Sequence, residues 1–513
     1  MVIPLYILIP LAVLAAVALI ERILLPSVRV VMRRWLRGMT DDLNTRLKLK
    51  LQPFKMTRKR IVEEMLIHDP EVAHAAKLYR EVNQLSWDEV TDLVRVWARE
   101  IVPRFNVYLY YRPSHWIARA AARLLYRVRI SFLDKRAMAA VDTEASVIFV
   151  MNHRSNFDYI IVSYIVSRLA AISYAVGEWA RIWPLDALLR RMGAYFVRRK
   201  ASDPLYRKVL ERFVQLSAES GVTQGIFPEG RLTRDGRLGE PKLGLLSYLL
   251  KRFDPAAPRD FVFVPVGINY DRVIEDRNLI REGQGTAPRT STAATIRTTL
   301  SQIGKLFWLL ARGRFHRFGY ACVNFGVPVS LKHYVGTLGK DFRSMGEAEY
   351  HAEVEKLGTV LMGEIARAVP VTPVALVAHA FFAATGPKVA VTELVQAPES
   401  PTATTSVISM AEARSEPLDE ALPETEGPTV PLNDLMAAAD RCLAELRRHG
   451  VTVALPRTTT EDFVAFGLRC MRLRRVVHES GGTITVATGN LALLRYHANS
   501  IGHHFDGWDD VTG

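Results

Sequence analysis

A histidine stands five residues before an aspartate in Asn152-His153-Arg154-Ser155-Asn156-Phe157-Asp158, directly after the apolar run 147–151. Histidine accepts a proton near neutral pH, and a carboxylate beside it selects one tautomer and supports the imidazolium. The pair therefore reads as a general base with its orienting acid. In one straight helix, positions five apart point about 140° away from each other, so the two side chains meet only if a turn separates them.

Two further segments carry cations at candidate strand ends. Phe227-Pro228-Glu229-Gly230-Arg231-Leu232-Thr233-Arg234-Asp235-Gly236-Arg237 joins two glycines, three arginines and a carboxylate, and Met192 to Lys200 ends in Arg198, Arg199 and Lys200. Glycine allows close backbone approach to a ligand, and guanidinium groups grip phosphate in bidentate fashion, so two such ends in one domain point to a shared phosphate pocket. The bland alternative for either segment is a surface turn with solvated arginines. There is no GxxxxGK[ST], GxGxxG or GxSxG in the chain, which argues against a nucleotide cradle, a dinucleotide fold and a serine-hydrolase elbow.

The elements that must position these residues begin near Ala139. Apolar β-rich runs at 147–151, 172–176, 195–197, 222–227, 261–268 and 320–325 alternate with helical patterns at 159–169, 205–217 and 244–251. Such alternation predicts an α/β domain, with a mixed, largely parallel sheet flanked by helices and functional loops at strand ends. Around it, residues 40–136 read as a helical domain and 139–345 as the catalytic domain. Residues 346–395 read as a helical extension, 396–431 as a Pro-, Glu-, Thr- and Ser-rich linker, and 432–513 as a small C-terminal module. Between Glu275 and Phe318 the pattern lapses into a loop, followed by an apolar stretch at 303–310 with a basic end, which fits either a membrane interface or core packing.

The chain has 513 residues and a net charge of +14, which calls for an anionic partner without saying which. Met1 to Ile20 carries no charge and as a helix is about 30 Å long. Arg29, Arg33, Arg34 and Arg37 follow, so residues 1–37 read as a membrane anchor with its basic flank on the cytoplasmic side, a bacterial inner membrane being the expected setting. Cys322, Cys442 and Cys470 are scattered, with no CxxC and no Cys/His cluster, so no cysteine-based metal site is expected. No nucleic-acid-binding motif is present, and nucleic acid is not expected as a partner.

Taken in order, four blocks resemble the glycerolipid acyltransferase superfamily of the HxxxxD type: His153 to Asp158, Gly193 to Arg199, Phe227 to Gly230, and Val264 to Asp271. The finer resemblance is to the glycerol-3-phosphate and dihydroxyacetone-phosphate acyltransferases. His153-Arg154-Ser155 with Asp158-Tyr159 is similar to that branch's HRSxxDY, Tyr195 to Arg199 to its FFIRR, and Tyr270-Asp271-Arg272 to its YDR. Leu493 to Ile501 with His503-His504-Phe505 resembles a late block of the long glycerol-3-phosphate enzymes. Two departures stand out: Asn152 is more usual in the lysophosphatidate branch, and Arg231-Leu232 replaces the Thr-Arg or Gly-Arg of the third block.

The resemblance implies acyl transfer from a thioester, acyl-CoA or acyl carrier protein, to the sn-1 hydroxyl of glycerol 3-phosphate, with membrane phospholipid as surroundings. His153 would be the base and Asp158 its partner. Substrate would be held by Arg198, Arg199, Glu229, Gly230, Arg231, Arg234 and Lys242, with no cofactor and no metal. Lysophosphatidate or dihydroxyacetone phosphate as acceptor, and a catalytically silent membrane scaffold, remain the alternative readings.

Overall fold

The computed structural model describes residues 59–105, 115–166, 172–177, 185–198, 203–286, 312, 315–386, 427–455 and 458–508. The expected anchor at 1–37 and the apolar stretch at 303–310 lie outside these. Among the described residues no helix is long and apolar enough to cross a membrane.

The expected sheet is present. Its strands are β1 (Arg127–Leu133), β2 (Ser146–Met151), β3 (Ser173–Gly177), β4 (Ala194–Val197), β5 (Gln224–Ile226), β6 (Phe261–Tyr270), β7 (Tyr320–Phe325) and β8 (Val329–Ser330). They lie in the order β1, β7, β6, β2, β5, β3, β4, with β8 on the start of β6. β2, β3, β4, β5 and β6 run the same way, whereas β7 and β8 lie antiparallel to β6. Every residue of β2 and β6 is buried, as expected of central strands covered on both faces. Strand β1 corrects the sequence reading, in which residues 127–133 belonged to the helical region. It is an edge strand hydrogen-bonded only to β7, and its exposed Ile130 and Phe132 blur the alternation that marks a half-buried strand.

Successive side chains of a strand point to opposite faces, and the two cores follow that period. Ile148, Val150, Phe261 and Phe263 face one core, covered by α1 (Lys59–Ile67), α2 (Pro70–Asn83), α3 (Trp87–Ile101), α8 (Pro204–Glu219), α9 (Gly244–Leu250), α11 (Leu331–Leu338) and α12 (Glu347–Ala368). Val147, Phe149, Val262 and Val264 face the other, with α4 (His115–Leu125), α6 (Asp158–Val166) and α10 (Asp276–Gly283); α5 (Lys135–Ala140) and α7 (Leu185–Arg191) are short connectors. Helix α10 falls where the pattern reads as a loop: it is mostly charged, and only Asp276 and Leu279 are buried.

The N-terminal helices share their core with the catalytic sheet. A buried ion pair reinforces the joint: Asp69 caps α2 through Glu71 N and Val72 N, and its Oδ2 receives both Nε and Nη2 of Arg212 from α8 at 3.0 and 2.9 Å.

The 346–395 segment divides between two cores. Helix α12 packs on the sheet, whereas α13 (Pro373–Thr385) is the centre of the C-terminal core, with α14 (Leu432–Arg448), α15 (Thr460–Leu473) and α16 (Leu491–Gly502) around it. A three-stranded sheet of β9 (Thr429–Pro431), β10 (Val477–Ser480) and β11 (Thr483–Val486) completes this module, so the end of the expected linker is a strand. Asp271, at the end of β6, joins the two parts by accepting from Tyr320 N at 2.7 Å and Val374 N at 2.9 Å; burial pushes its carboxyl up to about 6.

The C-terminal core encloses histidines that stay neutral. Burial lowers His379, stacked on Phe505 at 3.8 Å, to about 3, and His504 to about 4. The unfolded chain takes up these protons below the ordinary value of 6.5 while the folded one does not. Stability is therefore expected to hold above about pH 7 and to fall as pH drops toward about 4. In urea denaturation across that range, His379→Phe should reduce the slope by about 1.4 kcal/mol per pH unit.

Candidate active site

Four loops meet at one edge of the sheet. His153 follows β2, Arg198 follows β4, Phe227 to Gly230 follow β5, and Asp271 follows β6, all at the carboxyl ends of strands that run the same way. This is where an open α/β sheet places its ligands.

The turn required between His153 and Asp158 is residues 152–157, and Asp158 opens α6. His153 Nδ1 lies 3.0 Å from Asp158 Oδ2, which also accepts from Arg154 N at 2.8 Å and Ser155 N at 3.0 Å. The other carboxylate oxygen, Oδ1, accepts from Tyr270 Oη at 2.6 Å. Asp158 is fully buried, and these four donors replace the water it has lost. Burial holds the Tyr270 hydroxyl well above its ordinary range, so it serves as a donor. With Nδ1–H committed to Asp158, Nε2 is left as the basic nitrogen, and it has no hydrogen bond among the described residues. Phe227 stacks on the imidazole at 4.1 Å and Tyr159 meets it edge-on at 5.6 Å.

Asn152, flagged as a mark of the acceptor, performs a backbone task. Its Nδ2 donates to Ile268 O at 2.9 Å and its Oδ1 accepts from Ile268 N at 2.7 Å, extending the β2–β6 ladder by one side chain. Ser155 Oγ donates to Glu275 Oε2 at 2.7 Å and accepts from Phe157 N at 3.0 Å. Ser155 is buried and Glu275 half-buried, and desolvation raises the Glu275 carboxyl. These bonds leave Ser155 a structural role.

The residues expected to hold substrate separate into distinct environments. Glu229 accepts from His153 N at Oε1 (2.8 Å) and from Gly239 N at Oε2 (2.9 Å), so it braces the third block against His153. Burial raises its carboxyl. Gly230 turns at φ +66°, and Lys242, which is exposed, closes the loop through Lys242 N to Pro228 O at 2.7 Å. Arg231 is exposed. So is Arg234, whose Nε lies 3.7 Å from Glu282 Oε2. Arg198 is drawn away to α3, where Glu100 receives its Nε at 2.8 Å and its Nη2 at 2.6 Å. Arg199 lies outside the described residues.

Tyr270 and Glu275 were not singled out as site residues. Tyr270 was within reach: it lies in the fourth block and shares the parity of Val262, Val264, Val266 and Ile268, which face the core beneath α6. Nothing near Glu275 marks it as buried. Among the described residues no group of His, Cys, Asp and Glu is arranged to hold a metal ion.

With this geometry in place, the comparisons are specific. Residues 132–269 match the family model described as Acyltransferase, which spans the first three blocks and the fourth as far as Asn269. Residues 302–405 match the glycerol-3-phosphate acyltransferase C-terminal region. Two stretches of the chain are thus similar to acyltransferases, the second of them to glycerol-3-phosphate acyltransferases in particular.

Among its relatives is the protein named glycerol-3-phosphate acyltransferase from Pseudomonas fluorescens strain SBW25, 32% identical over 47% of this chain and 28% of the relative. Another of that name, from Pseudoalteromonas atlantica, is 25% identical over 71% of this chain and 46% of the relative. The chain thus spans less than half the length of these curated relatives. A solved 1-acyl-sn-glycerophosphate acyltransferase from Thermotoga maritima aligns at 16% identity over 61% of this chain and 95% of that one, with a TM-score of 0.30, too low to bear on the argument.

The Glu229 brace makes a stability prediction. Glu229→Gln keeps one acceptor oxygen but turns an NH2 group toward a second backbone N–H. We expect a loss of about 1–3 kcal/mol in urea denaturation, with the ordinary fold retained by circular dichroism.

Proposed function

We propose that this protein transfers a fatty acyl group from a thioester, acyl-CoA or acyl carrier protein, to the sn-1 hydroxyl of glycerol 3-phosphate, giving lysophosphatidate. The observation that carries the reading is the buried His153–Asp158 pair at the carboxyl end of β2, with the third and fourth blocks bonded directly to it through Glu229 and Tyr270. The family match and the names of the relatives support the choice of acceptor.

In this reading His153 Nε2 takes the proton from the acceptor hydroxyl as its oxygen bonds to the thioester carbonyl carbon. The imidazolium so formed is stabilised by Asp158. Collapse of the tetrahedral intermediate breaks the carbon–sulfur bond, and the imidazolium returns its proton to the departing thiolate. No covalent enzyme intermediate is needed, consistent with Ser155 being held by Glu275. In this proposal Arg231 and Arg234, exposed on the loop after Gly230, bind the phosphate together with Arg199, and Lys242 borders the loop. Holding both substrates in register converts an encounter into a near-attack arrangement.

A membrane-bound, cytoplasmic-face location belongs to the same proposal. It is supported by the uncharged run at 1–20 with its basic flank and by exposed Trp116 and Ile117 on α4.

The test assays purified protein with a long-chain acyl-CoA against glycerol 3-phosphate, dihydroxyacetone phosphate and lysophosphatidate. Preference for either of the latter two would overturn the assignment of acceptor. His153→Ala should lower kcat at least a thousandfold without unfolding the protein. Tyr270→Phe keeps the ring but removes a bond to an ionised carboxylate, and should lower kcat between about ten- and a hundredfold. A wild-type rate in folded His153→Ala would end the mechanism.

A further inference from the structure

The loop that carries Arg231 and Arg234 is gripped from two sides. On the catalytic side Thr233 N donates to His153 O at 3.1 Å, and Thr233 Oγ1 closes the loop on itself by donating to Arg237 O and accepting from Gly236 N. On the other side it meets α16 of the C-terminal module. Gly236 has φ +89°, and a Cβ there would lie 1.9 Å from Tyr496 O, so the two backbones touch. Asn499 Nδ2 donates to Asp235 O at 2.9 Å, while Asn499 Oδ1 is held by Trp508 Nε1 at 3.0 Å.

Arg154 stands between the two sides. Its backbone N donates to the catalytic Asp158, its Nη1 donates to Gly236 O at 2.7 Å, and its guanidinium lies over the Tyr496 ring at 5.1 Å. It is only 2% exposed, and its Nε and Nη2 have no hydrogen-bond partner among the described residues. Burying a guanidinium carries a desolvation cost, so its position calls for a task that requires this side chain. A planar cation that bonds a carbonyl at one edge and stacks on an aromatic face can join a loop to a helix in a way an apolar residue cannot. The exposed Arg231 and Arg234 have long, flexible side chains, and their placement as a pair is set by the backbone beneath them.

We propose that α16 and Arg154 form a clamp that sets the acceptor loop 231–237, making Asn499 and Arg154 positioning residues for recognition of the acceptor's phosphate. The proposal rests on the acyl-transfer reading above. The C-terminal module then acts as a specificity element: it supplies no reacting group, yet it holds the loop that reads the phosphate.

Asn499→Leu keeps the branched shape and heavy-atom count of the side chain and removes its bonds to Asp235 and Trp508. It should raise KM for glycerol 3-phosphate about tenfold while kcat and KM for the acyl-CoA stay within about twofold of wild type. Arg154→Ala should raise the same KM at least as far, and Arg154→Lys, which still reaches a carbonyl, should recover part of the loss. A folded Asn499→Leu with wild-type KM for glycerol 3-phosphate overturns the clamp, as does an equal loss toward both substrates. Should Asn499→Leu fail to fold, Trp508→Phe, which removes the indole N–H that holds Asn499 together with part of the ring, is measured instead, with its fold checked by circular dichroism. An increase of about threefold in that KM supports the clamp, and an unchanged value overturns it. If the wild-type protein acylates glycerol as well as glycerol 3-phosphate, the phosphate reading itself fails, and that is seen before any variant is compared.

Discussion

A single buried carboxylate, that of Asp158, organises this protein. Fully removed from water, it must be satisfied by donors held in place, and it collects four: the His153 ring, two backbone amides of the turn 152–157, and the Tyr270 hydroxyl. Each donor fixes a different part of the fold. The amides fold the turn that brings residues five apart together, and the tyrosine ties the end of β6 to the start of α6. The imidazole is left with one tautomer. Asp158 also sits in the first turn of α6, where the helix dipole favours its charge.

The second constraint is the peptide of His153 itself. Its N–H is taken by Glu229 and its carbonyl by Thr233, so the third block is bonded to the main chain of His153 rather than merely adjacent to it. That arrangement explains why a carboxylate belongs in the FPEG segment, since both of its oxygens serve backbone amides. The same loop then leans on α16, and through it the C-terminal module becomes part of the site's scaffold. A further buried joint lies close by: Arg474 from the turn after α15 pairs with Asp276 at 2.9 Å, and His497 stands 3.6 Å from the same carboxylate. Burial alone would raise the Asp276 carboxyl, but Arg474 and His497 outweigh it and hold the group well below the usual range.

Much of this was legible in residue order. The six strand segments were marked by apolar runs because central strands covered on both faces need nearly continuous apolar sequence, and the four blocks were marked by their residue types. Edge strand β1 and helix α10 were not legible, because an edge strand exposes part of its apolar face and a short charged helix resembles a loop. The helical extension at 346–395 also divides: α12 packs on the sheet whereas α13, next in sequence, belongs to the C-terminal core, and composition does not record which core a helix joins.

The sequence by itself determined which residues could do the chemistry: a histidine and an aspartate five apart after a strand, and arginines after two others. Only the tertiary structure decided their partners. It turned Arg198 toward Glu100, set backbone amides on both oxygens of Glu229, spent Asn152 on Ile268, and set Arg154 between Asp158 and the C-terminal helix. The reason is physical. Residue type sets what bonds a side chain can make, but which bonds form depends on which groups lose water together, and those groups come from segments as far apart in sequence as Arg154 and Tyr496.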